Sequence, residues 1–216
     1  MAQRQKISQM TPKGANLEAT DLLEVSVQTG SGYSTYSITG QEIIAAGSYG
    51  LYTQTNTSTV ITNTTTESSL LDGGLGTLTV PANGFKVGDS FHAILTGHIS
   101  SVNNHTLTIK IKTGSIILAD TGAITMAGAT NKHWKLEAYF TIRAIGSAGN
   151  ASIVTGGTFF YTKDASNNFE GTNFSTETSI GFDTTINNTL AITAQWGTAN
   201  TGDKISSEIF TLNKTY

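Results

Sequence analysis

Ser90-Phe91-His92-Ala93-Ile94-Leu95-Thr96-Gly97-His98-Ile99-Ser100 is the stretch that decides the fold. Phe91, Ala93, Leu95 and Ile99 alternate with His92, Thr96 and His98. A period of two sends one set of side chains beneath a sheet and leaves the other set on its outside. The pattern continues downstream. After Asn103-Asn104, residues 106–112 place Leu107, Ile109 and Ile111 on one face. A Thr113-Gly114 turn precedes a short apolar strand over 115–119. Leu136, Ala138, Phe140 and Ile142 then alternate against Glu137, Tyr139, Thr141 and Arg143. Further strands are expected over 152–163, 179–183, 189–196 and 204–212. Together with 77–80 these make about eight or nine strands, the range of a jelly-roll or related antiparallel sandwich.

Composition agrees. The chain has 216 residues, no cysteine, a net charge of -3 and 12% charged residues. Thr, Ser, Asn and Gly dominate the polar fraction, and these suit pleated surfaces and tight turns rather than long exposed helices. Without cysteine there are no disulfides and no thiolate metal sites. Lys and Arg do not cluster, which argues against a nucleic-acid groove. No apolar run approaches the roughly 20 residues of a membrane span, so no membrane insertion is expected. The start, Met1-Ala2-Gln3-Arg4-Gln5-Lys6, does not lead into a signal-peptide core. A soluble chain is expected, reaching the outside of a cell by a route such as release in a virus particle on lysis.

Three zones follow. Residues 1–48 form a small N-terminal module. Its first strand covers Asp21-Leu22-Leu23-Glu24-Val25-Ser26-Val27, with Leu23, Val25 and Val27 on one face, followed by a turn over 29–32 and a second strand over 33–38. Thr39-Gly40-Gln41-Glu42 then has capping-box spacing ahead of Ile43-Ile44-Ala45-Ala46, which predicts a short helix. Residues 49–76 are rich in Thr and Asn and too polar to form a core alone, so they read as a linker, or as a strand ordered only against neighbouring chains. Residues 77–216 form the β-sandwich. The fold class expected is mainly β: a C-terminal jelly-roll-like antiparallel β-sandwich preceded by a β-hairpin and a short helix.

Several stretches in order resemble a β-sandwich domain of bacteriophage fibres and spikes. They are Gly76-Thr77-Leu78-Thr79-Val80-Pro81-Ala82-Asn83-Gly84-Phe85-Lys86-Val87-Gly88-Asp89-Ser90, Leu107-Thr108-Ile109-Lys110-Ile111-Lys112, Trp134-Lys135-Leu136-Glu137-Ala138 and Leu190-Ala191-Ile192-Thr193-Ala194-Gln195-Trp196-Gly197-Thr198-Ala199. The first zone, through its Asp-Leu-Leu strand and Ser37-Ile38-Thr39-Gly40, is similar to small fibre-base modules. The resemblance implies a homotrimer located on the virion. Its N-terminal module would contact other virion proteins, and its exposed head would attach to the host surface, in some relatives through glycans. It supplies no catalytic or ligand residues.

Several motifs that suggest chemistry have plainer readings. Gly88-Asp89-Ser90-Phe91 has the form of an esterase nucleophile block, but Ser90 opens a strand and no later Asp-x-x-His follows. His92, His98, His105 and His133 lack close metal-ligand spacing, although His92 and His98 share a face. Residues 164–171 are rich in oxygen ligands yet lack the order of an EF-hand loop. They read better as a hairpin loop, in which Asn167, Asn168 and Phe169, with Asn173 beyond, are candidate receptor contacts. Trp134 and Trp196 continue apolar series and read as core rather than as sugar platforms. The chain is therefore expected to act by binding and not as an enzyme, with no cofactor and no metal. The alternatives are a capsid decoration or stabilising protein without receptor binding, and a cellular glycan-binding module.

Overall fold

In the computed structural model the described residues are 22–30, 32–39, 50–163 and 168–216. The chain divides into two compact units, residues 1–48 and 49–216. The described residues are mainly strand and contain no helix, and all their strand pairings are antiparallel. The helix expected over 43–46 lies outside the described residues.

In the first unit, β1 (Leu22–Thr29) and β2 (Gly32–Thr39) form a hairpin in which Thr29 faces Gly32. The connection is thus two residues long, and Gly30 takes φ +59°, which glycine adopts without penalty. Residues directly opposite share a face, so Leu23 with Ile38 and Val25 with Tyr36 build one apolar stripe. Leu23, Val25, Val27 and Tyr36 remain substantially exposed.

The second unit has two sheets. The larger runs, in spatial order, through β14 (Phe169–Thr178), β13 (Ser152–Thr162), β12 (Ala129–Ala144), β8 (Ser90–Ser101), β16 (Lys204–Lys214), β3 (Gly50–Gln54) and β6 (Gly74–Gly76), with β4 (Ile61–Thr62) also on β16. The smaller runs through β10 (Ile116–Asp120), β9 (Thr106–Thr113), β15 (Asn188–Trp196) and β5 (Ser68–Ser69). There β11 (Ile124–Thr125) also pairs with β9, and β7 (Thr79–Val80) with β15. The first long strand, β8, pairs with the last, β16, and the second, β9, pairs with the penultimate, β15. Between them, β12 to β14 form a meander that widens the larger sheet.

Burial follows the alternation read from the sequence. Along β8, Phe91, Ala93, Leu95, Gly97 and Ile99 are buried, while His92, Ile94, Thr96 and His98 are half-buried on the outside. Inner faces of both sheets meet in one core around Trp134, Trp196, Phe159, Tyr161 and Phe210. The indole nitrogens are satisfied inside it: Trp134 Nε1 donates to the Ser206 carbonyl at 3.1 Å and Trp196 Nε1 to the Ile61 carbonyl at 3.2 Å. Both tryptophans belong to the core, as periodicity indicates.

Two expectations need correction. Residues 49–76 are not a separate linker; they supply β3 to β6 of the second unit. Ile61 and Leu70 are buried in the common core. Ser58 donates its amide to the Ser207 carbonyl at 2.8 Å, and Leu70 its amide to Ile192 at 2.9 Å. Gln54 Nε2 reaches Ser207 Oγ at 3.0 Å, and Ser207 Oγ donates to the Leu70 carbonyl. A few apolar anchors suffice because other strands build the core and take up the polar segment's backbone bonds. The strand expected over 179–183 is also absent. Gly181 sits at φ +79°, outside strand geometry, and Ile180 is 91% exposed. The strand lies earlier, over Phe169–Thr178.

Candidate functional site

Asn167 lies outside the described residues. Of the other candidates, Asn168 immediately precedes β14, and Phe169 and Asn173 lie in it. Phe169 and Asn173 are therefore strand residues rather than loop residues. Tyr161 and Phe159 point into the core, so Thr162, Phe160 and Thr158 face outward. Opposite them stand Phe169, Gly171 and Asn173, which share that outer face. The rings of Phe160 and Phe169 meet edge to face, with centroids 5.6 Å apart, and Phe169 is 67% exposed. Gly171 is required here, because a β-carbon would run into the Phe159 carbonyl. The result is a shallow aromatic depression flanked by the Asn173 amide, on the terminal strand of the larger sheet. It can pack on an apolar surface and hydrogen-bond beside it.

Residues 164–167 of the oxygen-rich stretch lie outside the described residues. Glu170 is bonded to Lys163 at 3.2 Å. Among the described residues no group of three or more His, Asp or Glu side chains is arranged for a metal.

A second cluster occupies the outer face of β8 and β12. The rings of His92 and Tyr139 stack in parallel, with centroids 4.5 Å apart. His92 Nε2 lies 2.8 Å from Glu137 Oε1, which also accepts from the Tyr139 hydroxyl at 2.8 Å, while Lys135 Nζ donates to Glu137 Oε2 at 2.7 Å. Farther along the same face, His98 Nδ1 lies 2.7 Å from Glu208 Oε1, and His133 meets His98 edge to face. His92, His98 and His133 thus share one sheet face. His105 instead bonds through Nδ1 to Asp203 at 2.6 Å. The outward parity of His92, Glu137 and Tyr139 is legible in the sequence; their cross-strand register is not.

The Ser90 hydroxyl bonds to the Gly88 carbonyl at 3.1 Å and to Thr141 Oγ1 at 3.0 Å, and Asp89 is held by Lys214 at 2.7 Å.

Two carboxyls are strongly perturbed. The Lys110 ammonium, followed by that of Lys112, holds Glu67 at about 2, below its ordinary 4.5. Lys135, then the Tyr139 hydroxyl, hold Glu137 at about 2, and the same bond raises Tyr139. Folding lowers both carboxyls. The stability they add is therefore fully present above about pH 4.5 and is lost as pH falls through about 2. Both are partly exposed, so screening limits each to about 1 kcal/mol. Glu67→Gln and Glu137→Gln should each remove about that much near neutrality and almost nothing at about pH 2. Urea unfolding across that range reads the effect; a pH dependence unaltered by either substitution would contradict it.

No protein-family model matches the chain, and neither does any curated protein or any solved structure.

Proposed function

We propose that this chain is a subunit of a virion appendage, a bacteriophage fibre or spike. In this reading residues 1–48 dock on other virion proteins, and the sandwich is the exposed head of a homotrimer that attaches to host-surface glycans. The nested pairing of β8 with β16 and of β9 with β15 favours calling that head jelly-roll-like. The observation that carries the proposal is the bare apolar stripe of the first unit. An isolated two-stranded hairpin is marginal in water. One that exposes Leu23, Val25, Val27 and Tyr36 on a single face is suited to a protein partner. The head complements it with a lightly charged surface and, at Phe160, Phe169 and Asn173, an aromatic and amide patch of the kind that packs on sugar rings. Three copies of such a weak patch gain strength by avidity when receptors are spaced to match.

Light scattering of the whole chain, glycan-array binding and attachment to particles test this together. The expected results are a mass of three times 22.7 kDa, glycan binding lost in Phe169→Ala, and docking on particles lost in Val25→Asp. A monomer with saturable sugar binding would instead indicate a cellular module. A protein held tightly on shells but blind to glycans would indicate decoration. Either outcome overturns the proposal.

A further inference from the structure

We infer that the second unit contains a binding site for a small, neutral, apolar molecule in the gap between its two sheets. A cavity of about 280 Å³ lies there. Phe91, Phe140 and Ile153 of the larger sheet face Leu118 and Leu190 of the smaller one across it. Residues 77–85 pass over the gap as a strap. Thr77 donates its amide to the Leu51 carbonyl at 2.8 Å, and Leu78 accepts from the Leu190 amide at 2.9 Å. The Thr79 and Thr189 hydroxyls meet at 2.7 Å. The only strand in the strap, β7, is two residues long, and beyond it the Ala82 amide donates to Asn187 Oδ1 at 2.9 Å and the Asn83 amide to the Thr184 carbonyl at 2.7 Å, so opening the strap means breaking this short series of bonds rather than a long strand ladder. Leu78 and Val80 form the strap's half-buried contribution to the wall.

The polar groups of the wall determine the ligand's chemistry. Asp89 Oδ1 bonds Lys214 Nζ at 2.7 Å, and its Oδ2 accepts from the Lys86 amide at 2.9 Å. Asn188 Nδ2 donates to the carbonyls of Asp183 at 2.8 Å and Ile186 at 2.9 Å, and its Oδ1 accepts from Thr113 Oγ1 at 3.2 Å. The Thr77 hydroxyl donates to the Thr79 carbonyl at 3.2 Å. Each is held by a partner inside the protein, so a charged or strongly polar ligand would lose hydration without recovering it in the cavity. Size narrows the class further. An apolar cavity of about 150 Å³ takes up benzene. The space here is nearly twice that, enough for about two fused rings or a flexible hydrocarbon of similar bulk.

Naphthalene is a suitable probe, titrated into the whole native chain and followed by its fluorescence and by protein methyl NMR. The expected result is saturable one-to-one binding that shifts the Ile153 and Leu190 methyl signals. Leu78→Trp and Val80→Phe, which fill the cavity from the strap, should each weaken binding by about tenfold or more. Naphthalene-2-sulfonate, the same ring carrying a fixed charge, should bind weaker by a similar factor. No saturable binding to the native chain overturns the inference. So do binding that leaves those two methyl groups unmoved and equal binding of the sulfonate.

Discussion

Trp196→Ala should destabilise the second unit by about 4 kcal/mol, lowering its melting temperature by about 8–16 °C. Trp196 is fully buried at the end of β15, opposite Leu107, and its indole reaches across the core to the Ile61 carbonyl at 3.2 Å. Alanine removes the largest kind of side chain from a close-packed interior and also leaves that carbonyl without its donor. Trp196→Phe separates the two effects. It keeps most of the apolar bulk and loses the hydrogen bond, and should cost about 1–2 kcal/mol. Because Ile61 lies in the Thr/Asn-rich stretch, the phenylalanine variant should also make residues 55–66 easier to cleave with protease. Urea unfolding of the whole chain, followed by circular dichroism, measures the first effect. A loss below about 1 kcal/mol for alanine would mean that Trp196 is not buried as described.

How much was legible depended on whether one face of a strand is fully buried. β8, β9, β12, β15 and β16 announce themselves because inner positions such as Leu95, Ile109, Leu136, Ile192 and Phe210 recur every second residue. β14 does not. From Phe169 to Glu177 none of its side chains is fully buried, so no apolar period betrays it. Phe182, by contrast, enters the core from a loop, and with Ile180 it mimics strand alternation around Gly181. These two features place the apolar alternation about ten residues beyond the strand itself and make Phe169 and Asn173 look like loop residues. The role of residues 49–76 was hidden for another reason. Ile61 pairs with Ile205, and Ser69 with Thr193. Such long-range partners leave no trace in the local pattern. The same holds for the candidate surface: the sequence tells which way His92, Glu137 and Tyr139 point, and only the register shows that they touch.

Asp203→Ala should cost about 3 kcal/mol, nearly as much as the tryptophan change, although it deletes only a carboxylate. Asp203 has no exposed surface; its Oδ1 accepts from the Val102 amide at 2.8 Å and its Oδ2 lies 2.6 Å from His105 Nδ1. The first partners belong to the β8–β9 turn, where the chain leaves the larger sheet for the smaller. Asp203 itself precedes β16, where the chain returns from β15 to the larger sheet. One carboxylate therefore ties both crossovers together, and its removal strands a donor in each of the groups it held. Asp203→Asn keeps an acceptor for Val102 but sets an amide against the imidazole, so about half the loss should remain. A cycle with His105→Ala isolates the His105 contact, expected at about 1–2 kcal/mol of coupling. Hydrogen exchange at the Val102 amide should accelerate in Asp203→Ala and much less in His105→Ala, because only the first removes its acceptor. If Asp203→Ala instead stays within about 0.5 kcal/mol of the native chain, the two crossovers are held by strand pairing alone.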